Sequence, residues 1–431
     1  MGLNIDREVI ADGVGFTEII DPKLRTSVLK IKFVTELSEK TAQLNSIVSL
    51  LVPSSNSQIK TYSEMSDRLD ALYGSSLYSD TNKNGDCQTI TISADCINNR
   101  FAFDGEDILG ELLDIINDCI FSPNTDGEGF NKTEFELKRR ELIESICSDI
   151  NNKRWYAMLR AQKTIFKGEP GENSVYGQVE TAEKVTPHEA YEAYLWLLKT
   201  AVIEIYFVSP AEDHSAKERF RKMFDGMERD VRKVRFRAPS PLKDEVCRVT
   251  EKVKMKQTKV VMAFKSLTEK REAASVMTRL FGGTPFSKLF TNVREKMSLC
   301  YYCAASFVYS KGTLFVESGV ETENAEKLVA EVQNQLDGIK NGDFTDEEFE
   351  NTRRFLINLV NGVEDSPGSL ISWYFGGRCC DDDISPEEHI KRLEKLTRED
   401  IIAAARTFSL DTVYVMEADG EYDGAEEDDD E

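Results

Sequence analysis

A chain of 431 residues with a formal charge of −23 is longer than one hydrophobic core usually supports, and its acidity disfavours contact with phosphate backbones, so nucleic acid is not an expected partner. With 40% hydrophobic and 30% charged residues, and only 25 glycines and 11 prolines, the composition excludes a disordered or low-complexity chain. No apolar run approaches the roughly 20 residues that span a bilayer, Ile47–Val52 being the longest clear one, and no membrane partner is expected.

The opening residues Met1–Asp6 show neither a signal-peptide pattern nor the Ser or Thr of a myristoylation motif. The expectation is a cytoplasmic protein whose nine scattered cysteines stay reduced. Leu29, Ile31 and Phe33 alternate with Lys30 and Lys32 as a half-buried strand does. Ile108, Leu109, Leu112, Leu113, Ile116 and Cys119 recur at helical spacing, and Val253 and Met255 again alternate with lysines. One-sided strands among amphipathic helices predict an α+β fold, an antiparallel-rich sheet covered by helices on one face.

A long-period repeat organises the chain. Phe130–Ile143 (FNKTEFELKRRELI) returns 214 residues later as Phe344–Ile357 (FTDEEFENTRRFLI), with eight of fourteen positions identical, Arg139 and Arg353 among them. VTPHEAYEAY from Val185 and LTREDIIAAA from Leu396 are offset by 211, and each precedes an apolar strand, Ala201–Val208 and Thr412–Met416. Such a period is far too long for a solenoid unit and implies duplication of a whole domain. The boundary is placed at Arg235–Leu242 (RFRAPSPL), giving two homologous α+β halves at 1–230 and 243–420. Ten of the last fifteen residues are acidic, and 421–431 reads as a solvated acidic tail.

There are only three histidines, His188, His214 and His389. His188-Glu-Ala-Tyr-Glu192 resembles a zinc helix whose second His has become Glu, but Thr186, Pro187 and Glu189 fit an N-cap, a first-turn proline and a capping box, which accounts for the polar residues there except His188 itself. Ser385-Pro386-Glu387-Glu388 makes His389 a first-turn surface residue by the same logic. Cys300-x-x-Cys303 lies in Leu299–Ala304, read as a strand, so the two thiols should face opposite ways and not chelate together. Adjacent Cys379 and Cys380 fail likewise.

Phe281–Tyr302 (FGGTPFSKLFTNVREKMSLCYY) reads as a glycine turn, a helix over Ser287–Lys296, a break at Ser298 and a strand bearing Tyr301. Here the chain resembles the pitrilysin, insulinase and mitochondrial processing peptidase family of zinc peptidases, especially its small bacterial paired subunits. The resemblance rests on Gly282-Gly283, Ser287-Lys288-Leu289-Phe290, Val293-Arg294-Glu295-Lys296, Leu299 and Tyr301, and in the first half on Tyr176-Gly177-x-x-Glu180 followed by Val185-Thr186. Active members carry His-x-x-Glu-His on their first helix, which should lie near Lys40–Leu51, yet residues 41 to 51 contain no His, Glu or Asp. The distal glutamate would fall near Glu144 or Ser145, and alone makes no zinc site.

The resemblance therefore implies the non-zinc, substrate-binding subunit of a heterodimeric zinc metallopeptidase, inactive alone. It has no cofactor of its own, and a zinc-bearing homologous subunit and a peptide substrate would be its partners around a closed chamber. In that reading Arg294 binds a substrate carbonyl and Tyr301 donates to the oxyanion, with Gly282, Gly283 and Phe286 against the substrate and Tyr302 facing away. The alternative is a non-catalytic peptide-binding or scaffold protein derived from the same family.

Overall fold

The computed structural model describes residues 3–419, and the acidic tail expected at 421–431 lies outside them. Six strands build the first sheet: β1 (Asn4–Ala11), β2 (Val14–Ile20), β3 (Thr26–Glu36), β4 (Ser76–Asn84), β5 (Cys87–Ile97) and β6 (Val202–Ser209). Their order is β1-β2-β6-β3-β5-β4, with β2 and β6 parallel and all other neighbours antiparallel. The second sheet holds β7 (Cys247–Val253), β8 (Thr258–Lys265), β9 (Tyr302–Val308), β10 (Thr313–Val320) and β11 (Ser409–Ala418) in the order β9-β10-β8-β11-β7, with β11 and β7 parallel. Set β1 aside and the two sheets share one topology, with the single parallel pair in the same place. The duplication read from a few helical residues thus extends to strand order and direction.

The helices are α1 (Ala42–Leu51), α2 (Tyr62–Ala71), α3 (Ile108–Phe121), α4 (Lys132–Ser148), α5 (Lys153–Ile165), α6 (Pro187–Thr200) and α7 (His214–Phe224). The second half adds α8 (Arg271–Gly282), α9 (Ala325–Lys340), α10 (Asp346–Asn361), α11 (Pro367–Cys379), α12 (Pro386–Glu394) and α13 (Arg398–Arg406). The repeated arginines explain why the repeat is visible at all. Arg139 of α4 donates to the carbonyls of Glu183 and Val185, at 3.2 and 3.1 Å, while Arg353 of α10 donates to those of Glu394 and Leu396, at 3.1 and 3.4 Å. Each guanidinium also lies over the phenylalanine one turn back, Phe135 or Phe349. One long side chain satisfies the carbonyls ahead of the following capped helix in both copies, so its identity is dictated twice.

The chain divides into two compact units that do not follow the sequence halves. The first runs up to Cys147, resumes over Asn173–Arg235 and takes in Pro367–Phe375. The second holds Ser148–Glu172, Phe236–Ser366 and the chain from Gly376. The main changeover, Arg235 to Phe236, falls at the start of the basic proline-containing segment. Two excursions alter the expected halves: α5 belongs to the C-terminal unit and most of α11 to the N-terminal one. These helices begin 214 residues apart, the same offset as the repeat, so the two copies have exchanged corresponding helices.

The exchange corrects the expectation that helices cover one face of each sheet. In the C-terminal unit Ala157, Ala161 and Ile165 of α5, with Phe166, pack against Val261 and Ala263 of β8, Phe315, Tyr414 and Met416. Alternate β8 residues Val260, Met262 and Phe264 are buried too, and strand geometry puts them on the opposite face. In the N-terminal unit Phe375 of α11 stands edge-on to Tyr206 of β6, ring centroids 6.3 Å apart, under the Lys32 ammonium at 4.6 Å. The opposite face of β3, with Leu29, Ile31 and Phe33, closes over the core that includes α1, α3 and α6.

Candidate functional site

The Arg294–Tyr301 segment is built by close packing at its start and an irregular turn at its end. Gly282 ends α8 fully buried, where an added methyl would lie 2.8 Å from Ala305 Cβ and 3.0 Å from its amide nitrogen. Only a residue without Cβ lets α8 meet β9 so closely. Gly283 follows as the half-buried C-cap, and Phe286, 39% exposed, meets Phe355 edge-on. The helix expected over Ser287–Lys296 is a π-helix over Leu289–Lys296. Its wide turn buries Leu289 and Val293, and Asn292 donates to Gln335 at 2.7 Å. Ser298 then takes a φ of +51°, which breaks the helix where a strand was expected to begin. Regular pairing starts one residue after Tyr301, although the Tyr301 amide already bonds the Gly319 carbonyl at 2.9 Å.

Arg294 is exposed, its guanidinium 4.9 Å from the Phe290 ring centre. Among the described residues it makes no ion pair with a carboxylate. Tyr301 is 48% exposed and its hydroxyl donates to Glu321 at 2.5 Å. That hydrogen bond, then the charge of Glu321, raises the phenol above its ordinary value. Tyr302 turns elsewhere, with the Arg154 guanidinium 4.3 Å and the Lys259 ammonium 5.3 Å from its ring. Arg294, Tyr301, Gly282, Gly283 and Phe286 all lie in the C-terminal unit.

The strand expected over Leu299–Ala304 begins only at Tyr302. Because Cys300 precedes the strand, period-two alternation does not govern it. The neighbouring Cys303 is the main influence that lowers the Cys300 thiol. Ser318 and the charge of Arg294 act in the same direction, while burial opposes. Cys303, buried in β9, is held well above the ordinary thiol range by the neighbouring Cys300 and by its burial.

In the N-terminal unit α1 falls where the inverted zinc motif was looked for, and its inward side chains are amides and hydroxyls. Asn45 donates to Gln88 Oε1 at 2.8 Å. Gln88 Nε2 donates to the carbonyls of Ala42 and Val175, at 3.0 and 2.7 Å, and Ser46 Oγ donates to Val175 at 3.0 Å. Asn45, Ser46 and Gln88 are all buried. Gly177, with φ +77°, brings its backbone against Gln43. This neutral donor set does not fit zinc, which takes thiolate, imidazole or carboxylate ligands. The sequence reading noted the absence of charge on α1 but not Gln88, because the network spans residues 43 positions apart. Glu144 is exposed on α4. Among the described residues no group of three or more His, Cys, Asp or Glu side chains could hold a metal ion.

The histidines divide. His188 sits at the capping box Thr186–Glu189, its Nδ1 2.8 Å from the Glu128 carbonyl, which raises it. His389, expected at the surface, is largely buried with Nδ1 3.7 Å from Glu272. Burial lowers it, opposed by Glu272. The capping logic placed its helix turn correctly but could not see α8 packed against it. His214 opens α7.

The family model described as "Peptidase M16 inactive domain" matches residues 184–356. The chain is 29% identical over 352 residues to the Bacillus subtilis (strain 168) "Probable inactive metalloprotease YmfF", a match covering 81% of this chain and 82% of that protein. Two solved structures share the fold. A conserved protein from Enterococcus faecalis V583 has a TM-score of 0.90 at 24% identity, covering 97% of this chain and 100% of that one. A peptidase M16 inactive domain from Pseudomonas fluorescens has a TM-score of 0.80 at 15% identity, covering 98% and 100%. None of the described helices is long and apolar enough to cross a membrane. With its duplicated α+β architecture and an uncharged first helix that lacks the inverted zinc motif, the chain is similar to inactive M16 peptidases over most of its length and matches the M16 inactive-domain model over residues 184–356.

Proposed function

We propose that this protein is the non-zinc, substrate-handling subunit of a cytoplasmic two-chain metallopeptidase, inactive alone and completed by a zinc-bearing homologue. The observation that carries the reading is that one short segment holds both an exposed Arg294, with no carboxylate partner among the described residues, and an exposed Tyr301 hydroxyl, in a chain whose α1 has no metal ligands. Arg294 binds a substrate carbonyl, and Tyr301 releases Glu321 to donate to the oxyanion that forms there. Gly283 and Phe286 flank the substrate, and Gly282 holds the turn close to β9. That strand, an edge of its sheet, offers unpaired backbone groups to an extended peptide.

Mixing the chain with a zinc-bearing family member tests this. Peptide turnover is expected to require both chains and to fall by about 10² in Tyr301→Phe and in Arg294→Ala. Unchanged turnover in both variants would remove the assignment. A second reading, a peptide-holding or scaffold protein, is favoured by the Tyr301–Glu321 bond, which occupies the hydroxyl in the free chain. A stoichiometric complex with no peptidase activity would support it.

A further inference from the structure

The C-terminal unit encloses a set of charges that does not balance. Lys265 at the end of β8 is only 3% exposed, Lys311 in the turn between β9 and β10 is 1% exposed, and Asp411 is fully buried in the bulge where β11 pairs with that end of β8. With Lys243 and Glu169 they make three cations and two carboxylates, all in this unit. Both carboxylates are already engaged. Asp411 accepts from the Lys243 ammonium at 2.7 Å, the Lys243 amide at 3.0 Å and the Thr412 hydroxyl at 2.7 Å, while Glu169 accepts from Lys311 at 2.5 Å and from the Ser240 hydroxyl. Lys243 also donates to the Ile165 carbonyl at 3.2 Å, one residue before Phe166. The Lys265 ammonium is left with no hydrogen-bond partner among the described residues. It lies over the Phe166 ring that Lys311 also approaches, at 4.6 and 5.1 Å from the ring centre.

A cation shut away from water and short of acceptors is unfavourable unless a counter-charge reaches it. Water meets this deficit poorly, because a molecule that accepts one N–H brings two more hydrogens that need acceptors of their own. The ligand that fits only accepts, carries one negative charge and is small enough for so closed a place. We propose that the Lys265 ammonium binds a small monovalent anion of halide type, with Lys311 and Lys243 adding positive charge around it. The anion accepts from Lys265 and brings the cluster to neutrality, three cations against two carboxylates and one halide. The consequence is a fold whose stability follows chloride, in a chain whose formal charge of −23 would otherwise repel anions. The site is independent of Arg294 and Tyr301 and stands whatever those residues bind.

Urea unfolding of the full-length protein at pH 7 tests this, with sodium chloride exchanged for sodium gluconate at constant ionic strength, gluconate being too large for the site. The wild-type midpoint is expected to rise with chloride and level off, the unfolding constant falling about tenfold once chloride reaches about ten times its Kd. Lys265→Met removes the donor and should unfold at the same midpoint in both salts. In crystals soaked in sodium bromide, an anomalous peak is expected within hydrogen-bonding distance of Lys265 Nζ. Equal wild-type midpoints in the two salts, an equal chloride response in Lys265→Met, or bromide found only at other places would overturn the proposal.

Discussion

Lys265 closes β8 only 3% exposed, its ammonium without a hydrogen-bond partner and 4.6 Å above the Phe166 ring. The nearby carboxylates have partners already: Asp411 is 2.7 Å from Lys243, and Glu169 is 2.5 Å from Lys311. Burial lowers Lys265 from 10.5 to about 8. Asp411 and Glu169 pull it back up, while Lys243 and Lys311 push it further down. A displacement of that size is about 3 kcal/mol in favour of the neutral amine. Because the folded value lies below the unfolded one, the folded chain holds fewer protons between about pH 8 and 10.5. Its stability therefore rises with pH across that window, and below pH 8 the whole penalty of a buried cation is present. Lys265→Met keeps the length of the side chain and removes the charge, at the loss of about 1 kcal/mol of ring contact. The expected gain at pH 7 is about 1–2 kcal/mol, shrinking as pH passes 8. Urea unfolding of the full chain at pH 7 and pH 9.5 reads it. A destabilised variant at pH 7, or a gain equal at both pH values, would refute the argument.

Two further substitutions test the packing inside each unit, Gln88 in the first and Gly282 in the second. Gln88→Glu puts a carboxylate oxygen where Nε2 now donates to two carbonyls, and a loss of about 3–5 kcal/mol is expected at pH 7. Burial raises such a carboxyl, so the loss should diminish as pH falls and the protonated form donates again, which urea unfolding at pH 7 and 5 would show. Gly282→Ala places a methyl 2.7 Å from Leu289 Cδ1 as well as against Ala305. Thermal unfolding should record about 1–3 kcal/mol of overpacking.

What the sequence made legible was local or repeated. Arg139 and Arg353 stood out because each makes the same backbone bonds in its own copy, and the cap at Thr186 was readable because its partners are three residues away. The exchange of α5 and α11 was not legible, since the stripe Ala157, Ala161, Ile165 tells which face of a helix is apolar and nothing of which sheet it meets. The same limit hid the burial of His389, whose neighbour Glu272 lies on α8. The late start of β9 was missed for a different reason: the left-handed residue before it is Ser298, not a glycine, so nothing in composition marked the delayed strand.

The two candidate regions differ in what holds their residues in place. A buried metal site loses a single ligand at a high cost, because the charges left behind are unpaired. Around α1 the outcome is a neutral network in which Asn45, Ser46 and Gln88 satisfy one another and the Val175 carbonyl, so packing and hydrogen bonding alone account for those residues. Arg294 and Tyr301 have no such account. Both are exposed, one resting on a single ring and the other on one surface carboxylate, and exposed contacts of this kind contribute little to stability. Their chemistry is therefore to be sought in what binds the turn, and a stability assay that registers Gln88→Glu but not Arg294→Ala would separate the two regions on physical grounds.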